Sequence, residues 1–263
     1  MLNQRSVTTL DQLSKFTNWA NNDIDRFPQT PGSYQFLSSA EQDRSHSYKE
    51  FTYSINEIGC RSSLELQKSI AFFGCSFTFG EGVAEEDTFS DIIANKLNMP
   101  YNNLGSNGYT IPQIAQLFHA TLQVLNFDTA IITLPSPFRF HYVTTKDKCW
   151  PVYPNKDRDD AEHETIRKKV YANLSENYLL HQAKDYITYI QACADLYNKK
   201  VIWGTWSKDT YALLENLEID TIKFNFEYVE SLNLQGDYIA RDNIHPGIIQ
   251  HAEYSRNILD AIK

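Results

Sequence analysis

The sequence predicts an α/β fold in which a parallel sheet is covered by helices on both faces, and three observations carry that prediction. Short, nearly continuous apolar runs of strand length recur from residue 69 onward. Segments with apolar residues at helical spacing alternate with them. Polar or glycine-bearing loops separate the two kinds of segment. A strand apolar at nearly every position is one buried on both faces, and strands alternating with helices are the signature of parallel βαβ units.

The elements follow in order. From Leu2 to about Gln67 the chain is polar and turn-rich, with FPQTPGSYQF and SSAEQDRSHS and only weak periodicity. Residues 1–66 are therefore expected to form an N-terminal extension packed on a core domain of residues 67–263. SIAFFG is the first buried strand. EEDTFSDIIANKL has acids in its first turn and Phe89, Ile92, Ile93 and Leu97 at helical spacing. MPYNNLG is a second strand, and IPQIAQLFHATLQVL sets Ile111, Ile114, Leu117, Phe118, Leu122 and Leu125 on one helical face. TAIITLP is a third strand. The stretch from Phe140 to Glu164 is charged and aromatic without period, the look of a long excursion above the sheet that acts as a lid. Thr165 to Tyr197 is a long helical pattern that admits one break, with Val170, Leu174, Tyr178, Ala183, Ile187, Ile190 and Ala194 facing inward. KVIWGTW is a fourth strand, and Ile219 to Phe226 holds a short fifth. PGIIQHAEYSRNILDAIK closes the chain as a helix, with Pro246 near its first turn and Ile248, Ile249, Ala252, Leu259 and Ile262 as its apolar positions.

Composition narrows the function classes. A chain of 263 residues with 42% hydrophobic content buries a large core. A formal charge of -9 without a basic stripe leaves nothing to neutralise phosphates, so nucleic acid is not an expected partner. The amino terminus MLNQRSVTTLDQLSKF lacks the pattern of a secretory signal, and no apolar run reaches membrane-spanning length. The expectation is a soluble, cytoplasmic or virion-associated protein with no membrane partner. Cys60, Cys75, Cys149 and Cys193 lie far apart, without metal-ligand spacing, and are expected as free thiols; neither metal nor cofactor is expected.

Ligand sites in such folds lie beyond the carboxyl ends of the strands, and three motifs fall there. In GCSFTFGEG, Ser76 follows the first buried strand and precedes the first helix, with Gly74, Gly80 and Gly82 allowing sharp turns. A serine hydroxyl is a poor nucleophile until a positioned base takes its proton, and a backbone N–H in the turn helps hold a developing oxyanion. In DNIHP, Asp242 and His245 stand three residues apart just before the last helix. That spacing lets the carboxylate accept the imidazole Nδ1–H and leaves Nε2 to act on a serine. Each motif alone is compatible with an ordinary turn; their order and placement give them weight together. Cys75 beside Ser76 is a weaker nucleophile candidate, because neighbours on a turn point in different directions. His119, His163, His181 and His251 are read as helix or surface residues, and His141 as an outside candidate near the mouth.

With these motifs the sequence resembles the SGNH (GDSL-like) hydrolase superfamily, in the branch whose first block reads GCSxT. The resemblance covers the layout of residues 69–263 and a few short blocks of specific sequence. It implies a three-layer α/β/α sandwich with a flavodoxin-like parallel sheet, Ser76 as nucleophile, and Asp242 and His245 as its acid and base partners. NLGSNGYT is similar to the family's second block, which implies Gly108, with Gly105 as fallback, as an oxyanion donor beside the Ser76 backbone. The third block departs: TLPSPFRF stands where the family carries an asparagine donor, and Arg139 or Ser136 are the candidates to replace it. YSINEIGCRS, with Arg61, resembles the stretch that packs the extension onto the core. The implied activity is hydrolysis of a small ester or O-acylated carbohydrate through an acyl-enzyme, the substrate being selected by the Phe140 to Glu164 loop. The competing expectations are a non-catalytic binding or structural module, which the missing asparagine favours, and acyl transfer by the same residues.

Overall fold

The computed structural model describes residues 32–35, 51–56, 58–143, 149–152, 161–224, 238, 240 and 245–263. An antiparallel pair, β1 (Gly32–Gln35) and β2 (Thr52–Ile55), precedes the core. Strand β3 (Ser69–Gly74) is buried at every residue and runs into the single-turn helix α1 (Ser76–Phe79). A 3-10 turn at Glu85–Asp87, helix α2 (Phe89–Leu97), β4 (Tyr101–Gly105), α3 (Ile111–Thr121) and β5 (Phe127–Leu134) follow. β6 (Phe140–Val143) pairs antiparallel with β7 (Cys149–Val152). Helices α4 (Ala161–Tyr171) and α5 (Glu176–Leu196) lead to β8 (Lys200–Thr205), then α6 (Lys208–Asn216), β9 (Thr221–Lys223) and the closing α7 (Ile248–Ile262).

The central sheet has five strands in the order β4-β3-β5-β8-β9, every neighbouring pair parallel. This is the order of a flavodoxin-like sheet, and the chain is a three-layer α/β/α sandwich. Alternation along β3 sorts its side chains to the two faces. Phe72 meets Phe89 of α2, whereas Phe73 meets Phe118 of α3. α2 packs with α7 on the first face and α3 with α5 on the second.

The departures from the sequence pattern have local causes. Thr88 caps α2 by accepting the Asp91 N–H, so the acids before it form a separate turn rather than the first turn of the helix. Ser175 caps α5 in the same way, which divides the long pattern into α4 and α5. The stripe that α5 buries is Leu179, Ala183, Ile187, Ile190, Cys193 and Ala194; Tyr178, expected inside, is 53% exposed on the first turn. The side chain of Val170 lies outside the described residues. On α7 the buried set is Gln250, His251, Tyr254, Ser255 and Ile258, while the expected Ile248, Ile249, Ala252, Leu259 and Ile262 flank it at intermediate exposure. His251, expected as a helix or surface residue, is fully buried, stacked on Phe89 and accepting the Phe89 N–H at its Nδ1. Tyr254 meets Thr133 Oγ1 at 3.0 Å. A count of aliphatic positions misses a face that carries polar side chains whose partners, the Phe89 N–H and Thr133 Oγ1, lie inside the core. The aperiodic stretch after Phe140 contains the β6–β7 pair, and α4 begins at Ala161.

The segment before the core has a specific attachment. Tyr53 Oη accepts the Gly82 N–H at 2.7 Å. Arg61, fully buried, donates to the carbonyls of Phe79, Gly80 and Val83 and lies over the rings of Tyr53 and Phe79. Cys60, Cys75 and Cys193 are free and buried. Among the described residues no helix is long and apolar enough to cross a membrane.

Candidate active site

β3, β4, β5 and β8 point their carboxyl ends to one edge, and each is followed by a residue of the site. β3 ends at Gly74, which has no room for a side chain, because a Cβ there would lie 2.0 Å from Thr78 Oγ1 and 2.8 Å from the Thr133 carbonyl. The chain can therefore turn at once into α1. Cys75 is its cap and is fully buried, with its carbonyl accepting the N–H groups of Thr78 and Phe79. Ser76 is the first residue of the turn, 5% exposed, so its N–H is one of those that a helix start leaves without an intrahelical partner. The turn closes at Gly80 in the left-handed region, φ 78°.

His245 reaches Ser76 from the other end of the sequence: its Nε2 lies 2.8 Å from Ser76 Oγ. Pro246 and Gly247 separate it from the start of α7, where Gly247 is the cap. The His245 carbonyl accepts the Ala240 N–H, and the Gly247 N–H donates to the Tyr238 carbonyl, which fixes the backbone on both sides of the imidazole. Phe77 stands edge-on to the ring at 5.5 Å. Of the two adjacent nucleophile candidates, Ser76 and not Cys75 meets the histidine. Asp242 lies outside the described residues.

The imidazole has a second neighbour that the motifs do not announce. Glu81 Oε2 lies 3.3 Å from the same Nε2, and Glu81 is 8% exposed. The signal was an acid placed between the two glycines that follow the serine turn. Phe77 and Trp206, also outside the motif-based expectation, stack at 4.7 Å and form an aromatic wall next to the histidine.

The loop after β4 is tied to the serine turn, because the Ser106 N–H donates to the Gly74 carbonyl at 3.2 Å. Gly108 adopts φ 75° in this loop. Gly105 is differently placed: its N–H donates to Asn103 Oδ1 at 3.1 Å, and a Cβ would lie 2.4 Å from the Phe79 nitrogen. Its amide is committed within the fold, and its smallness serves the close approach of β4 to α1.

After β5, Ser136 Oγ accepts the Phe138 N–H and its carbonyl accepts the Arg139 N–H, so this serine closes the turn leading to the arginine. Arg139 is buried, donates from Nη1 to the Tyr109 carbonyl at 3.2 Å and lies 5.5 Å from the Trp206 ring. It thus braces the residue after Gly108 against the aromatic wall. His141 Nδ1 is 3.3 Å from Thr110 Oγ1, and burial, helped by the Arg139 charge, holds it neutral with its pKa down at about 3. Among the described residues no group of three or more His, Cys, Asp or Glu side chains could hold a metal ion.

No family model matches the sequence, and no curated protein matches it. Solved structures do. The chain is similar to the psychrotrophic esterase EstA from Pseudoalteromonas sp., at 10% identity and a TM-score of 0.47, over 73% of this chain and 95% of that one. It is similar to an acetylxylan esterase from Geobacillus stearothermophilus, at 12% identity and a TM-score of 0.43, over 76% and 95%. A carbohydrate esterase family 2 enzyme from Corynascus thermopiles matches at 14% identity and a TM-score of 0.46, over 76% and 67%.

Proposed function

We propose that this chain is a serine hydrolase of the SGNH kind that cleaves a small ester, with Ser76 as nucleophile and His245 as general base. The observation that carries the proposal is the 2.8 Å approach of His245 Nε2 to Ser76 Oγ at the carboxyl edge of the sheet. A base within hydrogen-bond reach of a hydroxyl is the geometric requirement for drawing off its proton. In the proposed reaction Ser76 Oγ attacks the acyl carbonyl while its proton passes to His245. The tetrahedral oxyanion is held by the N–H groups of Ser76 and Gly108, with Arg139 bracing the loop that carries Gly108. The imidazolium then protonates the leaving alkoxide, and water enters by the same route to release the acid. Asp242 is assigned the part of orienting His245 from Nδ1, on the DxxH spacing. The Phe77–Trp206 wall suits a substrate with an apolar or ring face, such as an O-acylated carbohydrate.

A serine-directed fluorophosphonate tests this directly. Covalent labelling at Ser76, abolished by His245→Gln, is the expected result. A folded protein that does not label even at alkaline pH, where the imidazole is free to accept a proton, is instead the inert scaffold that the missing third-block asparagine favours. With labelling in hand, product analysis with and without an acceptor sugar separates hydrolysis from transfer.

A further inference from the structure

His245 Nε2 faces two oxygens, Ser76 Oγ at 2.8 Å and Glu81 Oε2 at 3.3 Å. A neutral imidazole protonated at Nδ1 presents a lone pair at Nε2, which a serine hydroxyl can satisfy but a carboxylate cannot. An N–H at Nε2, which both the imidazolium and the other neutral tautomer present, can be shared between both oxygens, and a carboxylate at this distance favours the form that also carries the positive charge. Both side chains of the histidine–glutamate pair are largely withdrawn from solvent, with exposures of 13% and 10%, so the pairing of opposite charges is little screened.

We propose that Glu81 is a positioning residue that holds His245 as the imidazolium in the resting site and so sets the pH at which the base becomes available. The loop is built to keep the carboxylate in place. The Gly80 and Glu81 N–H groups both donate to the Ser76 carbonyl, Tyr53 Oη accepts the Gly82 N–H, and Arg61 binds the carbonyls of Gly80 and Val83 on either side of Glu81. Titratable groups on neighbouring elements bear on the pair. Arg61, from the segment before β3, puts a buried positive charge against the loop carbonyls, which favours a carboxylate there and opposes a charge on the imidazole, and Glu85 and Glu86 of the 3-10 turn act on that arginine in the opposite sense. From α7, His251 is fully buried and neutral, and so adds no second positive charge beside His245. Any effect of Asp242 is common to the unaltered protein and a Glu81 variant and cancels between them. The consequence for turnover rests on the hydrolase reading; the protonation state of His245 does not.

The test is the titration of His245 by ring 15N chemical shifts in histidine-labelled protein, assigned by the signal lost in His245→Gln. The unaltered protein should keep both ring nitrogens protonated through neutral pH, and Glu81→Gln should lower the proton affinity of His245 about tenfold or more. Glu81→Asp, which keeps the charge, should recover part of that difference. An unchanged titration in a folded Glu81→Gln overturns the proposal. So does a neutral His245 ring, in either tautomer, at about pH 6 in the unaltered protein, a measurement that needs no variant to fold. A protein that shows the expected titration but resists fluorophosphonate keeps this inference and loses the hydrolase; one that labels normally with His245 neutral at about pH 6 does the reverse.

Discussion

Arg61 Nη1 donates to the Gly80 carbonyl at 2.6 Å, tying a residue that precedes the first core strand to the loop that follows Ser76. Two further carbonyls, of Phe79 and Val83, depend on the same guanidinium. Each buried carbonyl left without a donor costs about 1–3 kcal/mol. Arg61→Met should therefore lower stability by more than about 3 kcal/mol in denaturant titration. Arg61→Lys should recover little of it, because an ammonium cannot reproduce the planar fork that serves three acceptors. A lysine variant as stable as the unaltered protein would show that charge rather than geometry holds this loop.

Ser76→Ala should abolish turnover of a short-chain aryl ester while leaving the thermal midpoint within a few degrees. The side chain is small, nearly buried and engaged with His245, so its loss removes the proposed nucleophile without opening a large cavity. His245→Gln should lower turnover by a comparable factor, since in the proposed mechanism nucleophile and base act as one unit and their losses do not add. Steady-state kinetics on the two single variants and the double variant check this; multiplicative losses would mean the two residues do not cooperate.

Much of this site was legible in the sequence because its parts are local. The serine follows a strand that is apolar throughout, and the histidine opens the last helix, so the alternating pattern alone carries both to one edge of a parallel sheet. Glu81, Phe77 and Trp206 were not legible, since their parts depend on which atoms converge from separate elements. Glu81 matters through a histidine far along the chain, and Trp206 through a ring stacked on Phe77. The interior of α7 was missed for a related reason: His251 and Tyr254 are buried because the Phe89 N–H and Thr133 Oγ1 wait for them, and no periodicity of apolar letters encodes a partner. Caps at Thr88 and Ser175 were readable as residue types, and a longer apolar repeat concealed them.

Gly108 and Gly105 should respond differently to alanine. Gly108 holds φ 75°, where a Cβ costs roughly 1–2 kcal/mol, so Gly108→Ala should be modestly destabilised. If its N–H is an oxyanion donor, a displaced loop should also lower kcat by roughly 10²–10³. In Gly105→Ala the new Cβ would meet backbone atoms of Thr78 and Phe79 at 2.7 and 2.4 Å, which cannot rotate away. That variant should lose stability first and activity only as α1 shifts. Thermal melts and kcat measured on both variants separate the cases, and an equal loss of kcat per degree of midpoint would remove Gly108 from the oxyanion site.

Acid should destabilise the fold through its buried histidines. Burial holds His251 neutral with a pKa of about 3, assisted by the charges of Arg61 and His245, and burial does the same for His141. An unfolded histidine titrates near 6.5, so below that pH the unfolded chain takes up protons that the folded chain refuses. The stability is whole above about pH 6.5 and falls progressively toward about pH 3, by roughly 1.4 kcal/mol per pH step for each such group. His251→Asn keeps an acceptor for the Phe89 N–H but does not titrate. It should be less stable at neutral pH, having lost the stack on Phe89, yet its stability should decline with about half the slope between pH 6 and 4, the His141 share remaining. Denaturant midpoints across that range, compared between the two proteins, check the assignment; parallel curves would mean that the acid sensitivity arises elsewhere.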